Sequence, residues 1–334
     1  MPAAEPDHDV APPARPKSRF VRVFLSIVAA CTVVVILFTL GGFFARYSWR
    51  LDQMCHFRLQ YFWLLAAAAV VLFVGRRRRL GLAAVAGAVV NGVLVVPIYL
   101  PADQPPASGP SVRLLSYNAL GRNQRHEDVT AYLRKQDAEV VLLMEVQPHW
   151  LDAIDSLHDL YPHQQVIPRR DNFGIALLAK QPWRDVQTVD FGSAEVPTIV
   201  ATLELDSQPW ILIGTHPVPP GSGEAAAARN EQLSLVADYV QRQSLPVVVA
   251  GDLNVTGFSP HFHDLLRKTN LRDSRQGFGV QASWSPRLPG LAIPLDHVLV
   301  PPEFHVARRL VGPHLGSDHR PVIVYLHPAN RATR

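Results

Sequence analysis

Residues 23–44 contain no charged side chain, and a run of that length crosses the hydrocarbon layer of a bilayer as a helix. No other feature limits the possible folds so severely, because backbone polar groups in lipid must be satisfied within the segment itself. Two further apolar stretches follow at 59–75 and 80–100, joined by Arg76-Arg77-Arg78-Arg79. The sequence therefore predicts a basic tail over 1–22 and an all-α membrane anchor over 23–100, with spans at 23–44, 59–75 and 80–100. A cleaved signal peptide is the competing reading of the first run, but signal peptides have shorter apolar cores and are not followed by two more apolar segments. Val28-Ala29-Ala30-Cys31 faintly resembles a lipoprotein cleavage box, yet the apolar run continues beyond it to Phe38.

Basic flanks orient the spans. Arg15, Lys17, Arg19 and Arg22 precede the first, and the four-arginine cluster joins the second to the third. Both should remain cytoplasmic by the positive-inside rule. Arg46, Arg50 and Arg58 in the intervening loop dissent, while Phe43, Phe44, Tyr47, Trp49, Phe57, Tyr61 and Trp63 around it resemble an interfacial belt. Three spans with an inner N-terminus place everything after residue 100 outside the cytoplasmic membrane. Two spans and a cytoplasmic domain are the alternative.

Charge divides the chain in the same way. Of its 32 Lys+Arg and 28 Asp+Glu, 11 and 5 precede residue 108, which leaves 21 and 23 in residues 108–334. The basic excess thus belongs to the anchor. Residues 108–334 lack the net positive charge that binding to nucleic-acid phosphates favours, although Arg169-Arg170 and Arg308-Arg309 leave local patches. Both cysteines, Cys31 and Cys55, lie in the anchor, so the rest of the chain forms no disulfide.

Residues 101–110 are rich in proline and read as a short, stiff linker. The region 111–328 then alternates apolar runs with turns, ahead of a tail at 329–334. Strands are predicted over 112–117, 140–144, 175–179, 198–205, 210–214, 247–250, 296–300 and 322–326, and helices over 127–135, 150–157 and 225–242. This mixture suits a two-sheet α/β sandwich.

Polar residues collect where these strands end. Asn118 follows the first. Glu145 terminates Val140-Val-Leu-Leu-Met144, and a carboxylate there is costly unless a cation compensates it; a hard ion such as Mg²⁺, or Mn²⁺, would suit it. Asp252 and Asn254 share one side of a strand end after Gly251. His216 follows another strand. Asp296-His297 begins one, Asp318-His319 precedes the last, and either Asp296 or Asp318 is suited to fixing an imidazole tautomer. Each feature alone has an ordinary structural explanation, such as an Asx-turn or a salt-bridged Glu. Together they describe a metal-assisted phosphoester-cleaving site.

The order and spacing of Asn118, Glu145, Gly251-Asp252-Leu253-Asn254, Leu295-Asp296-His297 and Ser317-Asp318-His319-Arg320-Pro321 resemble the endonuclease/exonuclease/phosphatase superfamily across nearly all of 112–326. The resemblance implies a four-layer α/β sandwich with two mixed sheets and a divalent-metal site at the strand ends. It implies Glu145 as the main metal ligand with Asn118 nearby, Asp252 acting on water and Asn254 on the scissile phosphate. His319, oriented by Asp318, would act on the phosphate or as acid/base; His216 matches a second catalytic histidine and Asp296 a further acidic position. Asn172, in a loop that resembles one of the family's, is expected to line the site, with Arg229 and Gln232 contacting substrate.

A membrane tether and a domain without basic excess favour a lipid or lipid-linked phosphate as substrate. The three spans followed by a catalytic domain also resemble the teicoplanin-resistance VanJ-like membrane proteins, which implies a polyprenyl diphosphate of the cell envelope. An exported nuclease and an inactive binding module are the alternatives.

Overall fold

The computed structural model describes residues 19–107, 109–285 and 289–329. The basic tail before residue 19 and the last five residues lie outside them.

The N-terminal part is all helical. α1 (Arg19–Gly41) runs into a 3₁₀ segment (Gly42–Tyr47), then come α2 (Trp49–Cys55), α3 (Arg58–Val74) and α4 (Arg78–Val95), the last extended by a 3₁₀ turn (Val96–Tyr99). Two helices, over Arg19–Tyr47 and Arg78–Tyr99, are long and apolar enough to cross a membrane. The middle span is less simple: α3 is 17 residues and meets α2 at a 63° bend, so it qualifies only if the bent pair counts as one span. At about 1.5 Å per residue α3 alone falls short of a ~30 Å hydrocarbon core. The helices are tied near the α2 end by buried polar groups. Arg58 Nη1 donates to the Thr39 carbonyl (2.8 Å) and Asn91 Nδ2 to Thr39 Oγ1 (2.9 Å).

The remainder is a sandwich of β1 (Val112–Asn118), α5 (His126–Gln136), β2 (Val140–Met144), α6 (Leu151–Asp155), β3 (His163–Ile167), β4 (Ile175–Ala179), β5 (Asp185–Asp190), β6 (Pro197–Leu205), β7 (Gln208–Gly214), α7 (Gly223–Gln241), β8 (Val247–Asp252), α8 (Pro260–Thr269), β9 (Arg272–Asp273), β10 (Asp296–Val300), β11 (Phe304–Val311) and β12 (Val322–Pro328). One sheet has the order β11-β12-β1-β2-β4-β3 and the other β5-β6-β7-β8-β10-β9. Each is mixed, with the parallel pairs β1/β2 and β7/β8 at its centre.

Continuous apolar runs make the central strands, because both of their faces are covered. Leu114, Leu142 and Leu177 of one sheet meet Ile199, Leu212 and Val298 of the other across the inner core. The outer faces bury Val129, Leu133 and Ile154 of α5 and α6, and Leu233, Val236, Phe262 and Leu265 of α7 and α8. Four layers result, as expected. Four strands and one helix are additional to the sequence expectation: β3, β5, β9, β11 and α8. The first two are edge strands with exposed or half-exposed side chains, so their apolar signal is weak.

Residues 104–107 of the proline-rich segment are seated on the sandwich. The Val306 N–H donates to Gln104 Oε1 (2.8 Å), His305 Nδ1 contacts the Pro105 carbonyl (2.8 Å), and Ala107 bridges Ala329.

Candidate active site

Strand register brings the site together. In the antiparallel pair β8/β10, Asp252 lies directly opposite Asp296, and in the parallel pair β1/β2, Asn118 lies beside Met144, one residue before Glu145. Strand ends of both sheets therefore deliver carboxylates to one place. Gly251 makes the closeness possible: at φ +142° a Cβ there would lie 1.9 Å from the Thr215 carbonyl at the end of β7, so only glycine fits. Glu145 and Asn254 are held in the left-handed region, at φ +59° and +50°. Each such non-glycine residue costs about 1–3 kcal/mol and persists only where its surroundings enforce it.

Asp252 is the hub. Its Oδ1 accepts the Asn254 N–H (3.0 Å), and its Oδ2 lies 3.2 Å from Asn118 Nδ2, 3.4 Å from His319 Nε2 and 3.5 Å from His216 Nε2. Asn118 Nδ2 also donates to Glu145 Oε1 (2.9 Å), while Glu145 Oε2 accepts the Gly121 N–H (2.9 Å). Asn118 Oδ1 accepts the Leu120 N–H (3.1 Å), so its amide joins two carboxylates. The Asn254 side chain donates to the Pro217 carbonyl (2.9 Å), which occupies one of its two amide hydrogens.

His319 Nδ1 is 2.8 Å from Asp296 Oδ2. Asp296, not the neighbouring Asp318, therefore orients this ring. The Asp318 carbonyl accepts the Ser285 N–H, and its side chain lines the pocket with Oδ1 buried and unpartnered. Burial alone would lower the His319 pKa, but the Asp296 and Asp252 carboxylates outweigh it and push the imidazolium up to about 10. Burial opposes the charge on Asp252 as well, yet His319 and His216 hold its carboxyl well below the usual range. The pair is thus an imidazolium beside two carboxylates that would otherwise repel across the strands.

Above these groups opens a cavity of about 410 Å³. Its lining includes Glu145, Asp171, Asp252 and Asp318, the imidazoles of His216 and His319, and Asn172 and Asn254, with Phe173, Pro219 and Trp284 completing the wall. Phe173 and His216 have ring centroids 5.6 Å apart. Trp284 was not foreseen: its loop has no strand periodicity, and it reaches the site by bridging His319 and Ile293.

Two expected substrate contacts lie elsewhere. Arg229 and Gln232 are fully buried on α7 and do not line the cavity. Gln232 Nε2 donates to Thr215 Oγ1 (2.9 Å), and Arg229 Nη1 to the Asn254 carbonyl (2.9 Å). Helical spacing turned them inward, toward the sheet, so both stand behind the strand ends and neither reaches the cavity.

Comparison with known proteins places the fold among relatives. The Endonuclease/Exonuclease/phosphatase family matches residues 115–319. Phospholipase C of Staphylococcus aureus is 26% identical over 179 residues, which cover 46% of this chain and 54% of that protein. Sphingomyelinase C of Listeria ivanovii is 26% identical over 89 residues, 24% of this chain and 27% of the relative. The chain thus spans about half the length, or less, of these curated relatives. Truncated TDP2 from Caenorhabditis elegans shares the fold, with a TM-score of 0.55 at 16% identity, covering 66% of this chain and all of that structure.

Proposed function

The chain belongs to the endonuclease/exonuclease/phosphatase family, and on that footing we propose that it is a membrane-anchored, divalent-metal-dependent phosphoester hydrolase acting on a lipid-linked phosphate. One observation carries the reading. Among the described residues, the cavity's lining holds four carboxylates and no lysine or arginine, so a bound cation would offset the negative charge that opposes a phosphate. The donor set fits a hard divalent ion such as Mg²⁺ or Mn²⁺, and unpartnered buried oxygens on Asp296 and Asp318 leave acceptor capacity unused.

Glu145, with Asn118 beside it, would hold that ion, which when bound supplies positive charge to the phosphate oxygens. The remaining work falls to side chains. Asp252, kept anionic by its imidazole neighbours, orients the attacking water. Asn254 turns its second amide hydrogen to a phosphate oxygen. His319, held protonated and aligned by Asp296, stabilises the charge that develops on the phosphate or protonates the leaving oxygen. His216 Nε2 approaches the same Asp252 oxygen as His319 does, at 3.5 Å.

A lipid substrate is supported by several facts. Relatives named phospholipase C and sphingomyelinase C match the chain. The rim loops of the cavity rest on the anchor: Gln53 Nε2 reaches the Pro220 carbonyl (3.4 Å), next to Pro219 of the wall, and Gln60 Nε2 the Ala292 carbonyl (2.9 Å). A polyprenyl diphosphate of the cell envelope is the specific substrate we propose. In proteoliposomes with Mg²⁺, the full chain should hydrolyse lipid diphosphates or phosphodiesters, chelator should reduce the rate to background, and Mg²⁺ or Mn²⁺ should restore it. Rapid cleavage of plasmid DNA with all lipids inert would replace this reading with a nuclease.

We place the catalytic domain outside the cytoplasm. Arg77 bonds the Leu25 carbonyl and Ser26 near the start of α1, whereas the catalytic domain meets the opposite end of that helix, at Arg46 and beyond. The four-arginine turn and the site thus occupy opposite ends of the anchor. With the native cysteines removed, a membrane-impermeant maleimide on intact cells should label Asp206→Cys and spare Arg79→Cys. The reverse pattern inverts the topology.

A further inference from the structure

The catalytic loop is braced from outside the sandwich. Asp52 of α2 is 1% exposed, and its Oδ2 meets Nη2 of the fully buried Arg229 at 2.7 Å. Its other oxygen accepts Ser259 Oγ (2.7 Å), the residue that caps α8. Arg229 passes the connection on, donating Nη1 to the carbonyl of Asn254 at 2.9 Å. Just beyond α2, His56 Nδ1 contacts Thr256 Oγ1 at 2.9 Å. His56 directly, and Asp52 through Arg229, therefore hold the segment 254–256 from outside the cavity that Asn254 lines. Asp52 is the one carboxylate paired with Arg229 among the described residues.

We propose that Asp52 is a positioning residue of the active site: through Arg229 it fixes the Asn254 peptide in its left-handed conformation, so the catalytic loop is correctly formed only when the anchor's α2 is docked. The catalytic half of this proposal rests on the phosphoesterase reading above. The physical grounds are two. A guanidinium in a dry interior needs its counter-charge, and removing one partner of such a pair is far more damaging than replacing both. A non-glycine residue at φ +50° needs its peptide held, and Arg229 is the side chain bonded to its carbonyl. The anchor thereby becomes part of the catalytic apparatus, and movement of α2 relative to the sandwich is a route by which the membrane can control the site. An excised 108–334 fragment would leave Arg229 without its counter-charge, so the full chain is the material to test.

Full-length protein in proteoliposomes, with bis(4-nitrophenyl) phosphate as probe, separates positioning from simple stability. Asp52→Asn should lower kcat by about 10²-fold with little change in KM, since small misplacement remote from the chemistry has effects of that size. It should also lower Tm by on the order of 10 °C, and Asp52→Glu should recover part of both. The double variant Asp52→Leu with Arg229→Met should regain most of the Tm, because no buried charge is left unpaired, but not kcat, because the Asn254 carbonyl has lost its donor. Hydrogen exchange in 252–256 should rise in both variants, independently of any activity. Recovery of kcat together with Tm in the double variant would reduce Asp52 to a purely structural role and overturn the proposal. Unchanged exchange and kcat in Asp52→Asn would overturn it outright. A wild-type chain inert on the probe and on every lipid phosphate would overturn the phosphoesterase reading, and the exchange data would then decide the bracing separately.

Discussion

Asp252→Asn will leave a folded protein whose kcat on the proposed phosphoester substrate is lower by about 10³-fold, within the range lost when a positioned acid–base group is removed. The substitution keeps size and shape, so the Asn254 N–H still has an oxygen acceptor where Oδ1 now stands. What disappears is the negative charge at Oδ2, the point on which Asn118, His216 and His319 converge. An amide there can neither orient water as an acceptor-only group nor balance two imidazoles. Because Asp252 is buried at the cavity wall, KM should change little. Steady-state kinetics, with circular dichroism as the check on folding, decide the matter. A variant within tenfold of wild type would remove Asp252 from the mechanism.

The second large effect concerns pH. Asp296→Asn should move the alkaline limb of the activity profile toward neutrality and reduce the rate above pH 8 by at least tenfold, by the Brønsted argument that an acid must be protonated to act. The reasoning follows from the forces on His319. Burial pushes its pKa down, and the Asp296 and Asp252 carboxylates raise it to about 10. Deleting the 2.8 Å Asp296 charge leaves burial opposed mainly by Asp252, so the ring loses its proton at lower pH. The same group links pH to stability. A folded-state pKa raised above the unfolded value of about 6.5 gives stabilisation that is complete below pH 6.5 and is lost as pH rises through about 10. Wild-type Tm should therefore decline on the alkaline side, and the Asp296→Asn variant should show less of that decline. A profile unchanged by the substitution would mean that His319 does not act as an imidazolium.

Much of the fold was legible in the sequence. β2, β4 and β10 were bounded to the residue, because central strands covered on both faces read as unbroken apolar runs with turns at each end. Edge strands gave no such signal: β5, Asp185-Val-Gln-Thr-Val-Asp190, has mostly exposed side chains, and its hydrogen bonds to β6 leave little trace in composition. α8 begins with Pro260 after the capping Ser259, a pattern too short to stand out among loops. The polar strand ends were equally legible, since a carboxylate or amide closing an apolar strand is unusual whatever it pairs with.

Three matters were not. The residue pattern allowed Asp296 or Asp318 to orient an imidazole and the family resemblance implied Asp318 for His319; the structure places Asp296 there instead, opposite Asp252 in the β8/β10 register. Arg229 and Gln232 were expected to contact substrate but face the sheet. Asp52 sits 177 positions from the arginine it neutralises, and no local pattern announces such a partner.

By itself the sequence determined a set of apolar helices, a sandwich of apolar strands and the list of polar groups at their ends, because burial and backbone periodicity act on neighbouring residues. Only the tertiary structure decided which carboxylate holds which imidazole, which polar side chains stand behind the strand ends, and that α2 reaches the loop at 254–256 through Arg229 and His56. Those choices depend on distances of about 3 Å between residues far apart in the chain, which cross-strand register and helix docking set and linear spacing does not encode.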